Sequence, residues 1–273
     1  MTLTKLDTFS VLSLLMLMAC SGGEEAPDAM SEMTAAPMAH DNDIIRLLDS
    51  GQPVFGMFAP EQSAEGGVAA AANMETDFIF YSLESGPWDI PTMQLFMASM
   101  AAAAAGQPHP VVLRIPPIRD DPEAARTHMA EGLAAGIDGL VLPHVETVEG
   151  VAAATQAVGD RLWPLHPTGD VLNIILIEDQ VGIGRAREIV GAPGVGVAIP
   201  GPGDLRRAYE GDMEAVENAI QTVLAACKEF DVPCGITAGP DDIVERLEQG
   251  FEMIIVTRPE ALSVGLMASG RGG

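Results

Sequence analysis

The sequence has few basic residues: 14 Lys and Arg stand against 39 Asp and Glu, and the formal net charge is −25. A surface of that sign repels the phosphates of nucleic acid and the headgroups of an anionic membrane. We therefore expect no nucleic-acid partner. A solvated, salt-adapted exterior is the simplest explanation for the excess of carboxylates.

Cysteine is also scarce, with only Cys20, Cys227 and Cys234 in the chain. A disulfide between Cys227 and Cys234 is possible, but one cysteine lies in a helical pattern and the other at the start of a strand, which argues against the bond.

The N-terminus has no apolar run long enough to span a bilayer, because TFSVLSLLMLM at residues 8–18 is too short. Preceded by MTLTKLD, this run has the form of a secretory signal peptide.

The end of this leader, LMAC, resembles the lipobox of bacterial lipoproteins. The resemblance implies a signal peptide over residues 1–19 and lipidation of Cys20, whose acyl chains would anchor the protein in the cell envelope. An ordinary secretory signal is the alternative. Ser21, rather than aspartate, follows the cysteine, and by resemblance to the sorting rules of diderm bacteria this favours the outer membrane, facing the periplasm or the surface. Residues 20–42 are small, acidic and proline-containing, and we interpret them as a flexible tether.

From residue 43 to residue 273, short apolar runs alternate with longer helical patterns. Strands that are apolar on both faces and followed by helices indicate a parallel sheet covered by helices. Eight such units predict an α/β fold, a (β/α)₈ TIM barrel, with the segment 41–51 as an extra N-terminal helix closing its bottom. An open doubly wound sheet is the alternative, but no G-x-G-x-x-G motif opens a helix after the first strand. The predicted strands are 53–59, 77–84, 109–116, 139–145, 171–178, 194–201, 233–239 and 252–258.

Two carboxylates follow neighbouring predicted strands, at the edge where barrels carry their chemistry. Glu178 ends VLNIILIE, and Asp204 lies in the loop PGPGD after the next strand. Together with waters and substrate oxygens they would form an all-oxygen site suited to Mg²⁺ or Mn²⁺, with Co²⁺ as a further candidate. The alternatives are a helix cap for Asp204 and a salt bridge for Glu178.

Arg114 interrupts the apolar strand VVLRIPP, where an unpaired charge would be costly to bury. We therefore expect it to face an anion. Glu84 would suffice as a structural partner, and the carboxylate or enolate oxygen of a substrate is the functional alternative.

Five motifs follow one another along the chain: LESGP at 83–87, VVLRIP at 111–116, GIDGLVLPHVETVEG at 136–150, ILIED at 175–179 and PGVGVAIPGPGDL at 193–205. As a set they resemble the HpcH/HpaI aldolase and citrate lyase family, whose aldolase branch consists of metal-dependent pyruvate aldolases on a (β/α)₈ barrel. The resemblance implies that Glu178 and Asp204 bind the metal and that Arg114 steadies the ketone oxygen as it becomes an enolate. It also implies that the amides of Gly203 and Asp204 meet the substrate carboxylate, and it is compatible with a homo-oligomer.

The chain departs from the family at the acid–base positions. Where the aldolases read Asp-x-Glu-His-Gly, this sequence has Ser82 and Ser85 in place of the aspartate and the histidine. These two catalytic positions handle the proton of the aldol hydroxyl, and a serine hydroxyl has no useful basicity near neutral pH. Leu176 also replaces a family glutamine, and LWPLHPTGD replaces a family loop. His144 or His166 could supply a relocated base, although each is more often an ordinary loop histidine.

These observations predict a carbon–carbon lyase that acts on a small 2-oxo acid of the pyruvate or oxaloacetate type, with an incomplete acid–base site. An acyl-CoA lyase of the citrate lyase branch is a subtype of this hypothesis. The main alternative is a non-catalytic, lipid-anchored binding protein for a small oxo- or hydroxy-acid. A barrel kept only as a folded domain on a tether is a third hypothesis, and the retention of Glu178, Asp204 and Arg114 argues against it.

Overall fold

The structure is a computed structural model that describes residues 41–272. The proposed signal peptide, Cys20 and most of the tether lie outside the described residues. Among the helices of residues 41–272, none is both long enough and apolar enough to cross a membrane.

Nine strands form one curled parallel sheet. In chain order they are β1 (Val54–Phe58), β2 (Phe78–Ser82), β3 (Val111–Arg114), β4 (Gly139–Leu142), β5 (Leu162–Trp163), β6 (Val171–Ile177), β7 (Val197–Pro200), β8 (Gly235–Ala238) and β9 (Met253–Val256). The pairing order is β5-β6-β4-β3-β2-β1-β9-β8, with β7 beside β6. The first strand of the chain therefore pairs with the last.

Between β7 and β8 the described residues make one isolated bridge, Ala198 with Cys234. The amide of Ala198 donates to the carbonyl of Pro233 at 3.2 Å. The architecture is thus a mixed α/β fold around a curled parallel sheet. The sequence predicts a closed barrel of eight strands. Between β7 and β8, however, the described residues form only this single bridge and no continuous ladder.

Helices follow each of the longer strands, as the alternation in the sequence predicts. They are α1 (Asp43–Asp49), α2 (Ala64–Ala71), α3 (Ile90–Ala103), α4 (Pro122–Ala134), α5 (Val148–Val158), α6 (Gln180–Gly184), α7 (Ala186–Val190), α8 (Pro202–Ala208), α9 (Met213–Phe230), α10 (Ile243–Gln249) and α11 (Glu260–Ala268), with a 3₁₀ turn at Gly159–Arg161. Their apolar faces cover the outside of the curled sheet, because strand side chains such as Ile79 and Leu113 point into the same core as helix side chains such as Phe96 and Met129.

The other face of the sheet encloses a second core. Successive strand side chains point to opposite faces, so Phe78, Val112 and Ile174 face inward and pack together. Helix α1 contributes Ile44 and Leu48 to this inner core.

Asn42 holds α1 in place at the edge where the strands begin. Its Nδ2 donates to the carbonyls of Asp138 and Asp170, at 3.1 and 3.0 Å, just before β4 and β6. Its Oδ1 accepts from the Ile44 amide at 3.0 Å and caps the helix. The extra N-terminal helix is therefore present, and the last residue assigned to the tether is a buried part of the fold.

All eight predicted strands are present, each shorter than predicted by one to four residues. The two-residue strand β5 was not predicted. It exists because Leu162 and Trp163 pair with Val171 and Leu172 at the start of β6.

Cys227 and Cys234 are free and buried, so no disulfide joins them. Both line a cavity of about 540 Å³ at the edge where the strands begin. That edge is opposite to the one where parallel barrels carry chemistry.

Candidate functional site

A cavity of about 240 Å³ opens where the strands end. Its apolar wall includes Phe58, Phe80, Leu176, Ile199 and Ile255, and its polar wall includes Arg114, Glu178, Asp204, Thr237 and Thr257. The polar side chains come from four strand ends and one helix start, so the inward alternation of the strands places them around one space.

Glu178 follows β6 directly and is only 2% exposed. Its Oε1 accepts from the backbone N–H of His144 at 3.1 Å. A Cβ on Gly201 would overlap its other oxygen, so glycine is needed at that position for the chain to pass the carboxylate. Burial, and then the negative charge of Asp204, raises the pKa of Glu178 to about 8.

Asp204 lies in the first turn of α8, with about a quarter of its side chain exposed. It pairs with Arg207, three residues along the same helix. The N-cap of α8 is Gly201, so the alternative reading of Asp204 as a helix cap is wrong. The structure places Asp204 and Glu178 in the same cavity, as the positions of neighbouring strand ends predict.

Arg114 ends β3 and has the structural partner that was considered for it. Its Nη2 lies 3.0 Å from Glu84 Oε2, and its Nε donates to Ser82 Oγ at 3.0 Å. The guanidinium carbon also lies 5.3 Å from the centre of the Phe80 ring. Arg114 lines the cavity as well, so the ion pair with Glu84 does not remove it from the site.

Ser82 and Ser85, which replace the aspartate and the histidine of the aldolase motif, occupy different environments. Ser82 ends β2, and its hydroxyl accepts from Arg114 and, at 3.4 Å, from the Glu84 amide. Ser85 is exposed and is not among the residues that line the cavity. The structure therefore brings Ser82 to the site as a partner of Arg114 and leaves Ser85 outside it.

His144 and His166, the two candidate bases, lie at opposite edges of the sheet. His144 Nε2 lies 3.7 Å from Glu178 Oε1 and 3.9 Å from Asp204 Oδ1. His166 lies in the loop before β6, near Asp160, whereas Glu178 follows the end of that strand. A full strand separates His166 from the site, so its candidacy as a base is wrong.

The structure also brings in residues that sequence reasoning missed. Thr237 is the last residue but one of β8, Thr257 follows β9, and both line the cavity. Their signal was the same one that identified Glu178, a polar side chain at the end of an apolar strand. Asp179 lies behind His144 and pairs with Arg119, and no sequence pattern indicated that contact.

Acidic groups dominate this edge of the sheet. Ligand atoms of Glu84, His144 and Glu178 lie within 4.8 Å of one another. Such a set of carboxylate and imidazole groups fits a divalent cation. The raised pKa of Glu178 points the same way, because burial and the negative charge of Asp204 outweigh the positive charge of Arg114.

The fold and this site define a class of α/β proteins with ionisable side chains gathered where the strands of a curled parallel sheet end. The chain belongs to the HpcH/HpaI aldolase/citrate lyase family, whose model matches residues 54–256. The family is of the lyase type.

Solved structures of the same family share the fold at low sequence identity. A family protein from Burkholderia cenocepacia J2315 is 23% identical, with a TM-score of 0.68 over 83% of this chain and 96% of that one. An HpcH/HpaI aldolase from Desulfitobacterium hafniense DCB-2 is 18% identical, with a TM-score of 0.64 over 82% of this chain and 93% of that one. CitE from Mycobacterium tuberculosis, in complex with magnesium and acetate, is 18% identical, with a TM-score of 0.58 over 81% and 92%. A search of curated proteins finds no match to this sequence.

Proposed function

We propose that this cavity binds one divalent cation and a small 2-oxo acid of the pyruvate or oxaloacetate type, on which the protein acts as a carbon–carbon lyase. The observation that carries the proposal is the position of Glu178, buried beside Asp204 and in the same cavity as Arg114. Glu178 and Asp204 hold the cation, which is Mg²⁺ or Mn²⁺ in the first instance, with Co²⁺ as a third candidate. The magnesium complex of the related CitE supports a divalent cation by analogy.

Each side chain has a distinct task in this proposal. The cation, when bound, supplies positive charge that stabilises the enolate oxygen. Arg114 is held by Ser82 and Glu84 and binds the ketone oxygen of the substrate as negative charge develops there. Gly203 lines the cavity beside Asp204, and their amides meet the substrate carboxylate, as the family resemblance implies.

The proton-transfer part of the site is incomplete. Ser82 Oγ accepts hydrogen bonds from Arg114 and the Glu84 amide, and neither donor is a base that could activate the hydroxyl. Breaking the aldol carbon–carbon bond leaves an electron pair on the enolate and requires a base for the hydroxyl proton. Breaking the bond to a departing carbon dioxide requires only the group that accepts the electron pair. Decarboxylation of a 2-oxo diacid is therefore the reaction that this site supports best.

The second candidate is a binding protein without turnover, for a small oxo- or hydroxy-acid. The exposure of Ser85 and the pairing of Arg114 with Glu84 favour it, because both weaken the catalytic interpretation. The same cation and the same carboxylate ligand would occupy the cavity in either case.

Two structural features of the proposal extend beyond the described contacts. We propose that the sheet closes into a (β/α)₈ barrel, which the bridge between Ala198 and Cys234 and the pairing of β1 with β9 support. We also propose, from the sequence of the leader, that Cys20 carries a lipid anchor and holds the protein at the cell envelope.

A thermal-shift screen tests ligand binding. We expect Mn²⁺ with oxaloacetate, pyruvate or the pyruvate analogue oxamate to raise the melting temperature of the wild type, because ligands that bind the native state stabilise it. Glu178→Gln and Asp204→Asn should each weaken Mn²⁺ binding, measured by calorimetry, by about tenfold or more. Unchanged Mn²⁺ affinity in both variants would contradict the proposed cation site.

A further inference from the structure

We infer that the imidazole of His144, oriented by Asp179, is a third protein ligand of the cation and makes the site select nitrogen-binding metals such as Co²⁺ or Zn²⁺ over Mg²⁺. This inference rests on the proposed function, since it concerns the same cation site. It adds a nitrogen ligand to a site for which the sequence predicted only oxygen ligands.

The first observation that supports this inference is the position of His144 Nε2. It lies 3.7 Å from Glu178 Oε1 and 3.9 Å from Asp204 Oδ1. Ligand atoms bound tetrahedrally at about 2.1 Å lie roughly 3.4 Å apart. Nε2 therefore lies within about 0.3 to 0.5 Å of this ligand spacing from each of the two carboxylates.

The second observation that supports the inference is the environment of His144 Nδ1. This atom is buried without a hydrogen-bond partner among the described residues, and Asp179 Oδ2 lies 3.5 Å away. Histidines that bind metals commonly donate the other ring N–H to a carboxylate, which fixes the tautomer and makes the ligating nitrogen more basic. With the proton on Nδ1 and directed at Asp179, the lone pair of Nε2 faces Glu178 and Asp204.

Asp179 is itself held in position from two sides. Its Oδ1 accepts from the Gly182 amide at 2.9 Å and caps α6, and its Oδ2 accepts from Arg119 Nη1 at 2.8 Å. Arg119 is in turn paired with Glu146. A carboxylate fixed by a helix cap and an ion pair can hold the imidazole ring in one orientation.

The backbone at His144 is unusual and serves the same site. Its φ is 50°, a left-handed conformation that few residues other than glycine adopt. In this conformation its N–H donates to Glu178 Oε1 while its ring lies beside the same carboxylate. Residue 144 thus contacts Glu178 through both its backbone and its side chain.

A histidine held between carboxylates without any metal is the alternative explanation. The two explanations differ in metal selectivity. Imidazole ligands favour transition metals, whereas sites of carboxylates and waters suit Mg²⁺. Loss of the imidazole should therefore weaken Co²⁺ binding much more than Mg²⁺ binding.

The test compares His144→Asn with the matched variant His166→Asn. Asparagine tolerates a left-handed backbone, so His144→Asn retains the amide that binds Glu178 and removes the imidazole. Calorimetry with Co²⁺ and with Mg²⁺, and the visible absorption of bound Co²⁺, are measured for both variants and the wild type. His166 is the control because it lies at the opposite edge of the sheet.

We expect His144→Asn to lower Co²⁺ affinity by about 10- to 100-fold and to change the Co²⁺ spectrum, with Mg²⁺ affinity within about threefold of the wild type. Asp179→Asn should lower Co²⁺ affinity by about tenfold while leaving the bands of bound Co²⁺ in place. His166→Asn should change none of these values.

An equal fall in the two metal affinities of His144→Asn, or no fall, would overturn the inference. An unchanged Co²⁺ spectrum would also overturn it. In either case the proposed function stands if Glu178→Gln weakens metal binding by about tenfold or more. Failure of Glu178→Gln to weaken either metal would instead overturn the proposed function.

Discussion

At the scale of single residues, Glu178 is the least ordinary side chain of the protein. A carboxyl group is buried beside Asp204, with one backbone hydrogen bond and with Arg114 already paired to Glu84. Burial, and then the charge of Asp204, raises the pKa of Glu178 from 4.5 to about 8. Such an arrangement is costly for a structure without a cation and favourable for one that binds it.

The raised pKa predicts how stability depends on pH in the metal-free protein. The folded state holds the proton of Glu178 up to about pH 8, whereas the unfolded state releases it near 4.5. Below pH 4.5 the contribution of Glu178 to the free energy of unfolding is therefore fully present. It is lost as the pH rises from 4.5 to 8, at up to about 1.4 kcal/mol per pH unit. Urea unfolding of the wild type and of Glu178→Gln between pH 5 and 8 measures the difference.

The variant is needed because Asp138 contributes to the same trend. Burial raises the pKa of Asp138 to about 6. We expect the wild type to lose stability more steeply than Glu178→Gln, and Mn²⁺ to reverse the difference at pH 8. Parallel slopes in the two proteins would show that Glu178 is not the titrating group.

At the scale of elements, α1 ends the inner core where the strands begin, and Asn42 joins it to the sheet. Removal of the Asn42 side chain leaves two carbonyl oxygens and the Ile44 amide without their partners. We expect Asn42→Ala to lower the free energy of unfolding by about 2 to 4 kcal/mol, measured with urea.

The matched control is Asp121→Ala, which removes an exposed helix cap. Asp121 accepts from the amides of Glu123 and Ala124 at the start of α4 and makes no comparable contact with the sheet. Its loss should cost about 1 kcal/mol. If Asn42→Ala lowers the free energy of unfolding no more than this control does, Asn42 caps α1 but its hydrogen bonds to the sheet do not stabilise the fold.

The strands could be predicted because each is an apolar run bounded by polar or turn residues. Their ends could not, since a ladder stops where a neighbouring strand stops, as at β3, which was predicted over 109–116 and spans Val111–Arg114. Strand β5 has only two residues and depends on the start of β6 for its partner. No local pattern encodes such a contact.

The site shows the same limit. Glu178, Asp204 and Arg114 could be placed together because parallel strands end at one edge. The contacts of His144 with Asp179 and Glu178 could not, because they depend on a left-handed backbone at a residue with no glycine-like signal. Ser82 was identified from a motif, but its role as an acceptor from Arg114 required the structure.

At the scale of the whole molecule, the N-terminal leader bears on where in the cell the protein is located. We predict that Cys20 is lipidated and that the protein fractionates with membranes of the expressing bacterium. Cys20→Ala should remain unprocessed and lose the lipid, which mass spectrometry and metabolic labelling with a fatty acid can detect. A labelled Cys20→Ala protein would contradict the lipoprotein assignment.

In the proposed function of the whole molecule, the cation and enolate part of the site is retained while its acid–base part is lost. The most direct measurement is pyruvate release with Mn²⁺, from oxaloacetate and from an aldol substrate, with Glu178→Gln as the blank. We predict that the wild type decarboxylates oxaloacetate faster than the blank. We also predict that its aldol cleavage is slower by about 10² to 10⁴ than that of Ser82→Asp combined with Ser85→His, the usual contribution of a positioned acid–base group. Equal decarboxylation by the wild type and Glu178→Gln would contradict the claim and leave the binding protein as the explanation.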